Sequence, residues 1–144
     1  MKLGYIIAAA LLMAAIAGPV LSQESAQVVA AESANSFIKK RYKIHGDWAV
    51  SSDNGQTIIA FDDDFKTKGG PALKVYLSPK PIETLTGQTA LADSLYLGVL
   101  KSNEGAQQYR IPDDIDISQY SSLIIQCEAY SVLWGGFDLP SGDS

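Results

Sequence analysis

The sequence predicts an all-β protein: a small β-sandwich or barrel of about seven or eight short antiparallel strands, after an N-terminal signal peptide. Two observations predict the fold class. From Tyr42 onward apolar and polar residues alternate with a period of two, as in strands with one buried face. Turn-forming residues then interrupt the chain at short intervals, at Asp53-Asn54-Gly55, Gly69-Gly70-Pro71, Pro79, Pro81 and Pro112. A third observation sets the start apart: the first 22 residues differ in kind from the rest.

Lys2 is the only charge before Glu24, and Leu3 to Ile16 is apolar apart from Gly4. Gly18 and Pro19 break the run, and Val20-Leu21-Ser22 offers small or aliphatic residues where a signal peptidase reads. A charged start, an apolar middle and a small-residue exit are the marks of a signal peptide, and cleavage is expected after Ser22. The apolar stretch is short of the roughly 20 residues that a spanning helix needs, so no stable membrane span is expected after cleavage. No cysteine lies near the exit to be acylated. The expected organisation is signal peptide at 1–22, tether or short helix at 23–41, β domain at 42–140 and tail at 141–144. The expected location is exported, periplasmic or secreted.

Of the 144 residues, 11 are Lys or Arg and 16 are Asp or Glu. Without Lys2 the formal charge is −6. Such a surface disfavours nucleic acid, which needs cationic neutralisation of phosphates, and disfavours a grip on anionic lipid. The cluster Lys39, Lys40, Arg41 and Lys43 reads as a solvated flank within an acidic chain. A domain of this length can bury a core without disulfides, and one cysteine cannot make an internal bridge.

The elements follow in order. Ile44, Gly46, Trp48 and Val50 share one face of a first strand. Asp53-Asn54-Gly55 is a hairpin turn, because such turns need positive φ. Gln56 to Phe61 returns with Thr57, Ile59 and Phe61 on one face. After the polar stretch 62–67, Leu73 to Ser78 is a strand closed by Pro79 and Pro81. Ile82 to Ser94 is irregular or holds a helical turn. Leu95 to Leu100 and Ala106 to Ile111 are strands, and Asp113 to Tyr120 is a loop. Ser122 to Tyr130 and Val132 to Leu139 finish the domain.

Cys127 is the only cysteine. Alternation places it with Leu123 and Ile125 on an inward face, opposite Gln126 and Glu128. Two readings stand side by side. An inward thiol without a cationic neighbour is a small buried hydrophobe, slow to react. An unpaired cysteine in an exported protein is also unusual enough to mark as functional. His45, the only histidine, lies on the polar face beside Asp47 and reads as a surface or capping residue. No CxxC, CxxCH or paired-histidine motif occurs, so covalent c-type haem and a standard zinc site are not indicated. Asp62-Asp63-Asp64 lacks the spaced ligands and glycine of a calcium loop and reads as a solvated turn. No GxSxG elbow surrounds a serine. Trp48 and Trp134 read as core aromatics.

Several segments resemble the DM-thirteen domain family. They are Phe65, Gly70-Pro71-Ala72-Leu73 with Val75-Tyr76-Leu77-Ser78, and Leu97-Gly98-Val99-Leu100-Lys101. Gly105, Gln108-Tyr109 and Ile111-Pro112 continue the pattern, and Tyr120, Leu123-Ile124-Ile125, Cys127, Tyr130-Ser131-Val132, Gly135 and Leu139 close it. The likeness runs from about Tyr42 to Leu139. It implies a compact β-rich extracytoplasmic module of electron transfer. In that family the domain often accompanies haem-binding sandwich domains and membrane cytochromes, and its characteristic cysteine acts as a free thiol or a ligand to a prosthetic group. Cys127 matches that cysteine. Gln126 departs from the aromatic residue that usually precedes it, and any haem domain or cytochrome is expected on a separate partner.

The resulting expectation is an exported redox-type accessory module. Cys127 serves it as thiol or prosthetic-group ligand (haem or another), His45 and Tyr109 are weaker candidates, and the partner is a separate redox or cell-envelope protein. The alternative is a non-catalytic extracytoplasmic binding or adhesion module with the cysteine in its core. A module without turnover of its own is expected ahead of an enzyme. If Cys127 were exposed, a disulfide-linked homodimer would follow.

Overall fold

The computed structural model describes residues 35–141. The expected signal peptide, most of the expected tether and residues 142–144 of the tail lie outside the described residues. The described strands are β1 (Ile38–Lys39), β2 (Ile44–His45), β3 (Trp48–Asp53), β4 (Gln56–Phe61) and β5 (Lys66–Thr67), then β6 (Leu73–Ser78), β7 (Leu95–Val99), β8 (Gln107–Arg110), β9 (Ser122–Cys127) and β10 (Val132–Asp138). Three short 3₁₀ turns at Ile82–Thr84, Ile117–Gln119 and Glu128–Tyr130 are the only helical pieces among the described residues.

The strands form an antiparallel five-stranded sheet in the order β1-β10-β9-β6-β7, a three-stranded sheet β3-β4-β8 and a two-stranded ribbon β2-β5. The larger sheet ends on β1 and β7 and the smaller on β3 and β8, so neither closes on itself. The barrel alternative is thereby corrected. Ten strands stand where seven or eight were expected, because β1, β2 and β5 have two residues each and are too short to show a period of two. The expected strand through Ile44, Gly46 and Trp48 is also split. At Gly46 φ is +120°, and a Cβ there would lie 2.5 Å from the Cα of Phe65. Only glycine permits that close crossing. The longer strands β4 and β6 stand at their expected bounds.

The two larger sheets pack face to face. Trp48, Ile59, Phe61 and Tyr109 of the smaller meet Val75, Leu77, Leu123, Ile125 and Phe137 of the larger in one apolar cluster. The Trp48 ring stacks on Phe137 with centroids 3.8 Å apart and planes at 9°. A second, smaller cluster lies on the other face of the five-stranded sheet. Here Ile82, Leu85 and Ala90 from the segment between β6 and β7 cover Tyr76, Ile124 and Leu133.

β9 is therefore buried along its whole length. Its polar residues find partners inside. The Ser122 hydroxyl donates to the Lys80 carbonyl at 2.7 Å, and Gln126 Nε2 donates to the Gly87 carbonyl at 2.9 Å. The bond offsets the desolvation of the Ser122 hydroxyl, whereas Gln126 is satisfied only through its amide N–H, its buried Oε1 having no hydrogen-bond partner among the described residues.

The last residues of the expected tether are part of this fold. Phe37 is buried, with its ring edge-on to Phe61 at 4.9 Å and to Phe137 at 5.1 Å, and β1 pairs with β10. Truncating a fully packed aromatic removes its transfer energy and leaves a cavity. Phe37→Ala is expected to lower stability by about 3 kcal/mol or more in urea denaturation; a change below about 0.5 kcal/mol would mean that this segment is not integral to the domain.

Candidate functional site

β10 carries a bulge between Leu133 and Gly135, and Trp134 is its extra residue. A bulge leaves one residue out of the ladder and frees its carbonyl. The Trp134 carbonyl accepts from the backbone N–H groups of Lys40, Arg41 and Tyr42, at 3.2, 3.2 and 3.5 Å. The indole N–H donates to the Lys68 carbonyl at 3.0 Å. The Tyr42 ring lies 4.1 Å from the indole, centroid to centroid. On the loop that follows β5, Gly70 sits against the same indole: a Cβ at Gly70 would come within 2.6 Å of the ring. The sequence Lys68-Gly69-Gly70-Pro71-Ala72 thus forms an exposed strap, held at Lys68 and Gly70 by one tryptophan and at Ala72 by the Glu128 N–H, which donates to the Ala72 carbonyl at 3.4 Å.

Cys127 lies beneath this strap. It ends β9, pairs in register with Leu73 and Val132, and is 1% exposed. Its Sγ donates to the Pro71 carbonyl at 3.1 Å. Pro71 is itself exposed, so a single layer of backbone separates the sulfur from solvent. Next to it, Ala72 holds a φ of +54°. This left-handed conformation costs an alanine roughly 1–2 kcal/mol, so the surrounding bonds hold the strap in its closed form against local strain. The expected inward orientation of Cys127 is what the structure shows. Since the thiol is not exposed, the condition for a disulfide-linked homodimer is not met in this conformation.

The other candidates are not brought to the sulfur. His45 is exposed on β2, on the face opposite the buried Ile44. Tyr109 is 3% exposed between the sheets, its ring against Phe61. Its hydroxyl donates to Gln107 Oε1 at 2.7 Å and accepts from the Lys101 backbone N–H at 3.0 Å. No hydrogen bond joins any two of Cys127, His45 and Tyr109 among the described residues. No cluster of three His, Cys, Asp or Glu side chains suited to a metal occurs among them either. In the acidic turn, Asp64 Oδ1 accepts the Asp47 backbone N–H at 3.0 Å, and Phe65 N–H donates to the Asp62 carbonyl.

The surroundings of Cys127 do not fit a prosthetic group. The sulfur is packed among side chains and faced by a carbonyl, and the strap over it has no slack where Gly70 meets Trp134. Just beyond the sulfur, a hydrogen bond from Lys74 holds the Glu128 carboxyl below its usual range, and the same contact raises the ammonium of Lys74. Both groups are at the surface, where such pairs contribute little.

Sequence reasoning placed Trp134 in the core and Gly69-Gly70-Pro71 in a turn but did not join them. The only trace was the pair of glycines, which left room for a ring from elsewhere in the chain.

Burial pushes the Tyr109 phenol up from 10.0 to about 12. The folded state therefore holds this proton more tightly than the unfolded chain. Its contribution is complete below pH 10 and is lost as pH rises toward 12. Stability measured by urea denaturation should fall across that window, by about 2–3 kcal/mol from this residue. In Tyr109→Phe that part of the fall should disappear. An equally steep fall in the variant would assign it to other tyrosines.

The family described as Electron transfer DM13 matches residues 36–139. No curated protein and no solved structure matches the chain. The match spans all ten strands, the strap and Cys127, and the chain belongs to the electron transfer DM13 family.

Proposed function

We propose that this protein is an exported accessory module of electron transfer in which Cys127 works as a shielded thiol for a separate redox partner. The family supports the electron-transfer part. One observation carries the role of the cysteine: the only thiol of the chain lies one strap away from solvent, bonded to the carbonyl of an exposed proline. Lifting residues 68–72 would uncover it without separating the two sheets, because the strap is held at the rim, by Trp134, by Cys127, by Asn103 against Gly69 and by the Glu128 N–H on the Ala72 carbonyl, rather than by the sheet interface. Export rests on the pattern of residues 1–22. It predicts a mature N-terminus at Gln23, which N-terminal sequencing of the protein from the cell envelope or medium checks.

A second reading has its own support. A thiol 1% exposed and donating to a carbonyl is also what a purely structural core cysteine looks like, in a non-catalytic binding module. The two readings differ in how the sulfur is reached. A strap opens locally, and local opening exposes little surface. A core cysteine is reached only by global unfolding, whose free energy falls steeply with denaturant.

The rate at which a thiol reagent labels folded protein should therefore stay nearly flat at low urea. Trp134→Phe, which removes the bond to the Lys68 carbonyl, should raise that flat rate about tenfold, the equivalent of one hydrogen bond. A labelling rate that follows global stability from the first addition of urea would place Cys127 in the structural role. A visible spectrum of the purified protein belongs in the same experiment. A Soret band that disappears in Cys127→Ser would replace the free-thiol role with that of a ligand.

A further inference from the structure

Six of the eleven Lys and Arg residues of this acidic chain fall in two short stretches, 39–43 and 66–68. The fold joins the two. β2 pairs with β5, and the Thr67 hydroxyl donates to the Lys43 carbonyl at 2.8 Å. Tyr42 lies between them, its ring under the Lys68 ammonium at 4.9 Å, with the Arg41 guanidinium 5.8 Å from its centroid. Lys66 meets Glu104. No carboxylate lies within ion-pair distance of Lys39, Lys40, Arg41, Lys43 or Lys68 among the described residues. Among the described residues these cations are thus gathered without an ion-pair partner, on a molecule whose net charge is −5.

A shallow groove of about 460 Å³ adjoins them. Lys40, Arg41 and Tyr42 form one wall, and Gly87 and Ser131 lie along it. Its floor includes Leu85 and Leu133, both almost fully buried. The cationic wall and the strap over Cys127 share one support, since Trp134 binds the backbone of 40–42 through its carbonyl and Lys68 through its indole.

We infer that this face is a docking surface for an acidic protein, whose carboxylates meet Lys40, Arg41 and Lys68 while an apolar side chain enters the groove. Charge complementarity selects the occupant. Five cations without an ion-pair partner among the described residues attract an anionic surface over roughly a Debye length and orient its approach. The recessed floor favours a protein over a lipid surface. Membrane adsorption calls for a continuous apolar face beside the cations, whereas here Ile38 is exposed beside Lys39 as an isolated side chain and Tyr42 lies half-buried against Trp134 and under Lys68. The inference names the class of partner for the reading proposed above and rests on it, and it brings that partner beside the strap that shields the thiol.

The test is an amide NMR titration of the folded protein with a soluble glutamate-rich peptide carrying one central leucine. Shifts are expected at Lys40–Tyr42, Lys68–Gly70 and Ser131–Leu133, with binding that weakens as salt is added. Lys40→Glu with Arg41→Glu and Lys68→Glu should weaken it about tenfold or more. The neutral set Lys40→Gln with Lys68→Gln serves if the charge reversal unfolds the domain, and should weaken it less. Reversal at Lys80 and Lys101, outside the patch, should leave it unchanged. Cys127→Ser should bind as the parent does, so a failed redox reading and a failed docking surface give different results. Absence of shifts at the patch, or shifts that survive its charge reversal, would overturn the inference. So would capture by phosphatidylglycerol-containing vesicles without binding of the peptide, which would make the occupant a membrane.

Discussion

β9 meets water on neither face. It pairs with β6 on one side and β10 on the other, one of its faces closes the sandwich core, and the opposite face is roofed by the segment between β6 and β7. Everything else is arranged around this strand. Each of its alternate residues joins a different apolar cluster, so a one-residue slip in its register would exchange the two sets of side chains. Its buried Ser122 and Gln126 reach the roofing segment, which lets polar side chains specify where that segment lies. Gln126 is fully buried. Its amide takes the Gly87 carbonyl as partner, on the face away from the thiol.

The end of β9 is where rigidity gives way. Cys127 is its last residue, and its neighbour across the ladder begins the strand that carries the Trp134 bulge. One irregular residue therefore serves three segments distant in sequence: the 40–42 backbone, the strap at 68–72 and the edge of the core. A bulge suits this role because it frees a carbonyl and redirects a side chain without breaking the strand. The strap packs against the rim of the sheet, carries a left-handed alanine and is exposed along its length, so its closed form depends on the few bonds at its ends. The cover over the thiol and the placement of the cationic face thus both depend on Trp134.

Local pattern was enough for the long strands. β4, β6 and β9 have alternating or continuously apolar sequences, and hairpin chemistry at Asn54-Gly55 sets the β3–β4 turn, so their positions and the inward direction of Cys127 were legible from neighbours in the chain. Two-residue strands carry no periodicity, and β1, β2 and β5 arise only because a longer strand or a crossing at Gly46 offers them a partner. A choice between sandwich and barrel likewise turns on which edges meet, a non-local matter.

By itself, the sequence determined the all-β class, the acidic balance with its cluster of cations, the single cysteine and the side of its strand on which that cysteine falls. These properties depend on residue type and on spacing within one element. Tertiary structure alone decided that a glycine-rich turn lies over the sulfur, that Trp134 holds it there, and that His45 and Tyr109 stand apart from it. It also decided that two basic stretches twenty-odd residues apart form one surface. Such pairings are selected by the packing energy of the whole core, which no stretch of chain contains on its own.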